Sequence, residues 1–183
     1  PGATSSAAFQ WDDAQGQFVS AAAGSEGGEI VFAGFDRENN LAGMAVEAQA
    51  MGYQDTSGLL YGYSPASQAI IGIRVLESRE TPGLGDRIEK DERFLENFEQ
   101  LDVSLNPEAT QLAHAIEFVK PGSKSASWQI DGITGATISS RATAEMIRDS
   151  AADWIPRLHA WSTDFTLDEA KEPGGSSGGK DSP

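Results

Sequence analysis

The residues best suited to chemistry lie in one ten-residue stretch, Asp131–Ser140, which is rich in small and hydroxyl-bearing side chains. It follows a short apolar run, Trp128–Ile130, that is typical of a strand end. It precedes a segment from Arg141 to Leu158 whose apolar residues share one helical face. A turn that leads into a helix presents unpaired backbone N–H groups and the positive end of the helix dipole. Such a turn suits a phosphate group.

The same stretch has a plainer interpretation as a helix cap. In that interpretation Ser139 or Ser140 caps the helix, and Gly135 turns the chain. The stretch contains neither a Walker A loop nor a G-x-G-x-x-G fingerprint, either of which would favour a nucleotide phosphate. Spacing alone therefore leaves both interpretations open.

The segment from Asp131 to Thr137 has the sequence D-G-I-T-G-A-T, which resembles the flavinylation signature D-x-x-[S/T]-G-A-T of the FMN-binding domain family. That family includes the G subunit of the Rnf electron-transport complex and NqrC of the sodium-pumping quinone reductase. The resemblance implies that Thr137 carries FMN through a phosphodiester bond, which a separate flavin transferase makes. The implied cofactor-binding residues of this stretch are Asp131, Thr134, Gly135, Ala136, Thr137, Ser139 and Ser140.

A second family element, E-T-P-G-L-G, follows the strand-like segment Ile71–Glu77. Its local sequence is also typical of a Pro-Gly turn that ends a strand. By resemblance, this loop lies against the flavin, where packing and hydrogen bonds set the redox potential. Two motifs in the family's order support each other, and the resemblance covers roughly residues 41–160. The residues of the loop are Glu80, Thr81, Pro82, Gly83, Leu84 and Gly85.

Composition and charge exclude several classes of function. The formal net charge of −15 argues against nucleic acid as a partner, because phosphate backbones are bound by clusters of Lys and Arg. The chain has no Cys, which excludes disulfides, iron–sulfur clusters and cysteine nucleophiles. The two histidines, His114 and His159, have no metal-ligand spacing, so we expect no metal site. No catalytic acid, base or nucleophile set is evident, so we expect a redox subunit without a catalytic site of its own.

The patterns predict a single α+β domain, with a twisted, mainly antiparallel sheet flanked by helices. Residues 7–29 show no clear pattern. The strands are predicted at 30–35, 41–51, 58–63, 68–78, 115–119 and 127–130, and the helices at 88–101 and 141–158.

Within the strand 68–78, alternation places Ile71, Ile73 and Val75 on one face. Because the other face is partly apolar too, this strand is expected at the centre of the sheet. The basic residues at the start of the first helix are interpreted either as contacts to a phosphate or, the commoner case, as solvated helix charges. They are Arg87, Lys90 and Arg93.

We divide the chain into an N-terminal segment (1–29), the FMN-binding domain (30–165) and a flexible tail (166–183), the last because of its Gly and Ser content. No apolar run reaches the roughly 18 residues that a membrane-spanning helix needs. The resemblance nevertheless implies an N-terminal helical anchor ahead of residue 1. It places the domain on the extracytoplasmic, periplasmic face of the cell membrane.

The expected function is that of an electron-transfer flavoprotein subunit with covalent FMN, in a membrane-bound, ion-translocating ferredoxin:NAD oxidoreductase of the Rnf type. The expected partners are the other subunits of that complex and, during maturation, the flavin transferase. Two alternatives stay open. One is a flavinylated domain of another extracytoplasmic reductase or of an NqrC-like quinone reductase, and the other is a binding or sensory module whose Thr137 is never modified.

Overall fold

The computed structural model describes residues 2–21, 30–51, 56–77 and 87–167. The loop from Glu80 to Gly85, which is predicted to lie against the flavin, falls outside the described residues, as does the tail from residue 168. Within the described ranges, no helix combines the length and apolar character needed to cross a membrane.

The main sheet is antiparallel throughout. Its strands are β1 (Ser5–Asp12), β2 (Gln17–Ser20), β3 (Ile30–Phe35), β4 (Leu41–Met51), β5 (Thr56–Ser64), β6 (Ala69–Glu77) and β7 (Leu101–Asp102). They lie in the order β2-β1-β3-β4-β5-β6-β7, so chain neighbours from β3 to β6 are also sheet neighbours. The predicted α+β fold with a mainly antiparallel sheet is confirmed.

Two strands, β1 and β2, lie largely within residues 7–29, where the sequence shows no clear pattern. β1 pairs with β3, and Phe9 lies opposite Val31. Phe9 and Phe18 are buried, and both rings contact Phe165 at centroid distances of 5.0 and 4.9 Å. The sheet and its aromatic core therefore extend into the N-terminal segment.

One long helix, α3 (Thr137–Ala160), packs on the sheet. The predicted amphipathic pattern is confirmed, because Ile147, Ile155 and Leu158 are fully buried. The helix begins four residues before the predicted start at Arg141. A hydrogen bond of 3.2 Å between the Tyr61 and Ser150 hydroxyls also joins the sheet to α3, and burial raises the pKa of the Tyr61 phenol.

The predicted helix 88–101 is wrong as a single element. It consists of α1 (Arg87–Lys90), α2 (Glu92–Leu95) and a 3₁₀ turn (Glu96–Phe98), and the chain then enters β7. Asp91 interrupts the helix because its backbone is extended, and its carboxylate caps α2 by accepting from the Phe94 N–H.

The predicted faces of β6 are also wrong. The register shifts between Gly62 and Tyr63, so that Tyr63 pairs with Ile70. Ile70 is buried, whereas the Ile71 side chain lies over Gly62 and Gly43 on the opposite face from Ile73. A β-bulge inserts an extra residue and reverses the alternation. In addition, β6 lies beside the two-residue edge strand β7 rather than at the centre.

A second, two-stranded sheet leads to the candidate site. β8 (Glu117–Val119) and β9 (Gln129–Asp131) are parallel, with Phe118 opposite Ile130. β8 lies within the predicted strand 115–119, and β9 overlaps the predicted strand 127–130 but ends one residue later. β9 ends where the signature begins.

Two isoleucines of α3 test how strongly the fold depends on its apolar face. Ile155 is 0% exposed and Ile138 is 87% exposed. We expect Ile155→Ala to lower the free energy of unfolding by about 2–5 kcal/mol, because it leaves a cavity. Ile138→Ala should change it by no more than about 0.5 kcal/mol. Urea unfolding followed by circular dichroism measures both, and equal losses would contradict the packing described.

Candidate functional site

The structure places the signature at the junction between β9 and α3, in a tight turn. The Ala136 N–H donates to the Ile133 carbonyl at 3.1 Å, and Gly135 has a φ of 84°. This is the pattern of a type II turn, whose third position needs glycine because a side chain is strained there. The turn leads directly into Thr137, the first residue of α3.

The Ser140 side chain bonds to the backbone at both ends of this turn. Its hydroxyl is fully buried, accepts from the Ile133 N–H at 3.2 Å and donates to the Ala136 carbonyl at 2.9 Å. Ser139 is half-buried, and its carbonyl accepts from the Thr143 hydroxyl. Both serines lie inside the helix, whose N-cap position is held by Ala136. The interpretation of Ser139 or Ser140 as the N-cap is therefore wrong, and no described side chain caps the helix.

Thr137 is exposed, and its hydroxyl donates a long hydrogen bond of 3.4 Å to the Ile133 carbonyl. Thr134 and Gly135 are exposed beside it, whereas Ala136 is buried. Thr137 also lies at the positive end of the dipole of a 24-residue helix. Its hydroxyl is therefore accessible to a reagent, at a position that favours a negatively charged substituent.

Asp131 uses its carboxylate to hold the preceding turn. The carboxylate oxygens accept from the Gly122 N–H at 2.7 Å and from the Ser123 N–H at 3.1 Å. These bonds join the turn after β8 to the end of β9. Asp131 therefore stabilises the fold by joining two segments of backbone.

A buried asparagine fixes the end of β9. Asn97 is 4% exposed, and its side chain accepts from the Asp131 N–H at 3.0 Å and donates to the Asp131 carbonyl at 3.2 Å. Its Oδ1 also accepts from the Lys124 ammonium at 3.1 Å. Burial lowers the pKa of Lys124, and the charge of Asp131 opposes that shift. The strand end is thereby attached to the helical segment 92–98.

Gly132, at a variable position of the signature, permits a close approach of β8. A Cβ atom at this position would lie 2.6 Å from Cζ and 2.9 Å from Cε2 of Phe118. The Arg141 guanidinium lies 4.6 Å from the centre of the same ring. Phe118 is therefore held between the start of the loop and the first turns of α3.

Arg87 contacts the signature from the other side. Its Nη1 donates to the Thr134 carbonyl at 2.6 Å, and its Nη2 donates to Asp91 Oδ2 at 2.9 Å. The interpretation of Arg87 as a solvated helix charge is therefore wrong.

Sequence reasoning also missed Asn97 and Phe118, because a contact across 34 or 14 residues leaves no local pattern.

The structure thus brings seven predicted site residues into one junction, between Asp131 and Ser140. The other six, from Glu80 to Gly85, lie outside the described residues and their contribution stays a prediction. Among the residues that are described, no group of three or more His, Asp or Glu side chains is placed to hold a metal ion.

The sequence model of the FMN-binding domain family matches residues 52–152, a range that contains both motifs. The chain belongs to the FMN-binding domain family. The resemblance inferred from the signature is thereby confirmed.

Relatives with named functions belong to ion-translocating complexes. The chain is 34% identical over 126 residues to the G subunit of the ion-translocating oxidoreductase complex of Methanosarcina acetivorans, an alignment that covers 69% of this chain and 58% of the relative. It is 33% identical over 125 residues to the protein of the same name from Pasteurella multocida, covering 67% and 56%. The chain therefore spans somewhat more than half the length of these relatives.

Solved structures share the fold. NqrC of Shewanella oneidensis superposes with a TM-score of 0.64 at 16% identity, over 88% of this chain and 83% of that one. The C subunit of the Na⁺-translocating NADH-quinone reductase of Parabacteroides distasonis gives a TM-score of 0.63 at 21% identity, over 85% and 78%. The chain is thus an FMN-binding domain related to subunits of ion-translocating oxidoreductase complexes.

The Gly132–Phe118 contact generates a stability prediction. We expect Gly132→Ala to lower the free energy of unfolding by about 1–3 kcal/mol, because the new methyl group collides with the ring. Phe118→Leu removes the ring atoms that collide, so the double variant should lose less than the sum of the single losses. Chemical unfolding of the four proteins measures this coupling. Strictly additive losses would contradict the contact.

The role of Asp131 gives a second stability prediction. Asp131→Ala removes the acceptor for two backbone N–H groups, and we expect the free energy of unfolding to fall by about 1–3 kcal/mol. Asp149→Ala is the control, because that exposed carboxylate pairs only with its neighbour Arg148 and should be worth less than about 1 kcal/mol. Thermal unfolding compares them, and the structural assignment fails if both variants melt alike.

Proposed function

We propose that this domain is an electron-transfer flavoprotein subunit that carries FMN through a phosphodiester bond to Thr137. The observation that carries the proposal is the position of this threonine. Thr137 is the last residue of the signature of the family to which the chain belongs, and the first residue of α3. It is also exposed. Few reagents other than an enzyme would modify such a hydroxyl, since an isolated threonine is a weak nucleophile.

The residues around Thr137 fit a phosphate-linked flavin. Gly135 adds no side chain to the exposed turn, and Ala136 directs its small side chain into the protein. The α3 dipole stabilises a phosphodiester charge at Thr137 by about 0.3–1 kcal/mol where the group is exposed. Bound flavin supplies one- and two-electron redox chemistry, whose potential depends on the protein groups around the ring.

Covalent attachment also suits the location that we propose. An ester bond retains the cofactor whatever its free concentration, which matters for a domain outside the cytoplasm. We propose that the domain works on the extracytoplasmic face of the cell membrane and is anchored by an N-terminal helix ahead of residue 1. Protease accessibility in intact spheroplasts tests this location, and protection of the domain would contradict it.

We propose that the partners are the other subunits of an Rnf-type complex, which couples electron transfer between ferredoxin and NAD to ion movement. The relatives named as G subunits are 33–34% identical to this chain, whereas the two quinone-reductase structures are 16–21% identical. Sequence similarity therefore favours an Rnf-type protein over an NqrC-like one.

A pair of threonine variants tests the attachment. After co-expression with a flavin transferase, Thr137→Val should lose all covalent flavin, because valine keeps the shape of threonine without its hydroxyl. Thr163→Val is the control, since it removes an exposed hydroxyl outside the signature and should keep the flavin. Flavin fluorescence on a denaturing gel measures both. Covalent flavin in Thr137→Val, or its loss in Thr163→Val alone, would contradict the assignment.

A further inference from the structure

Arg87 holds one particular peptide group of the signature. The hydrogen bond of 2.6 Å from its Nη1 ends on the Thr134 carbonyl, which belongs to the peptide between Thr134 and Gly135. The same guanidinium reaches Asp91 through Nη2, so one planar group joins the start of α1 and α2 to the turn.

The orientation of this peptide decides the type of the turn. Type I and type II turns share the same 4→1 hydrogen bond and differ by a flip of their central peptide. The positive φ of Gly135 shows the type II orientation, and glycine can adopt either one. A donor fixed at the Thr134 carbonyl therefore selects one of two conformations that the turn can reach.

The turn lies directly beneath the acceptor. The Ile133 carbonyl accepts both the turn's own hydrogen bond, from the Ala136 N–H, and the hydroxyl of Thr137. A flip of the central peptide keeps the turn's own hydrogen bond but reverses the directions of the Thr134 carbonyl and the Gly135 N–H on the exposed surface beside Thr137. It would therefore change the polar groups around the nucleophile. Phosphoryl transfer depends strongly on how the nucleophile is positioned.

We propose that Arg87 is a positioning residue for flavin attachment, because its guanidinium holds the Thr134–Gly135 peptide in the orientation that presents the Thr137 hydroxyl to the transferase. This inference rests on the proposed function. It assigns Arg87 to the attachment reaction, in addition to its ion pair with Asp91.

The attachment reaction needs a flavin donor with an activated phosphate, because esterification of a free phosphate in water is unfavourable. A flavin dinucleotide meets this requirement. The Thr137 Oγ forms a bond to the flavin-side phosphorus, the pyrophosphate bond breaks, and a nucleoside monophosphate leaves. The hydroxyl proton passes to a base of the transferase, and no electrons are gained or lost.

The experiment measures the initial rate of attachment with purified flavin transferase and a flavin dinucleotide, by intact mass. Arg87→Met keeps the length of the side chain but removes its donors, and we expect kcat for attachment to fall by about tenfold or more. Arg87→Lys restores one donor and should give an intermediate rate. Arg93→Met removes the same charge from an exposed site on α2 and should stay within about twofold of the wild-type rate.

Each outcome decides the proposal. It is overturned if Arg87→Met reacts at the wild-type rate, if Arg93→Met slows equally, or if only KM rises, which would make Arg87 a docking contact. Failure of Arg87→Met to fold, judged by circular dichroism before reaction, would also overturn it by making Arg87 a residue of the fold. A wild-type chain that accepts no flavin would instead refute the proposed function itself.

Discussion

The buried hydroxyl of Ser140 holds the turn that leads into Thr137. It bonds to the backbone at both ends of the turn, at Ile133 and at Ala136. Because this hydroxyl is used beneath the helix rather than as a cap, α3 begins at Thr137. Thr137, the acceptor that we propose, therefore lies exposed at the first helical position, at the positive end of the helix dipole. Loss of this bond would free the turn and the start of the helix together.

The junction separates residues that hold the backbone from residues left for chemistry. Buried or half-buried groups fix its position: Asn97 holds the end of β9, and Phe118 lies against Gly132. Thr134 and Gly135 of the turn remain exposed, and so does Thr137. A junction whose backbone is held by buried contacts and whose Thr137 is exposed suits the modification that we propose, because a second enzyme can reach this residue in the folded domain.

Much of the fold and the centre of the site could be predicted from the sequence. The apolar face of α3 and the alternating strands β3–β5 follow from periodicity, and the family follows from the signature. Other features depend on contacts distant in sequence. The extended backbone of Asp91 divides a helical pattern that is otherwise continuous, and a bulge beside Gly62 reverses the faces of β6. Asn97 lies 34 residues from its partner, so periodicity gives no sign of it.

The central claim is that Thr137 is esterified with FMN. The most direct measurement is the intact mass of the wild-type chain after co-expression with a flavin transferase, followed by peptide mapping. We predict a gain of about 438 Da, the mass of FMN less water, on the peptide that contains Thr137. An unmodified mass, in cells where the same transferase modifies a control acceptor, would contradict the account and favour a binding module that is never flavinylated.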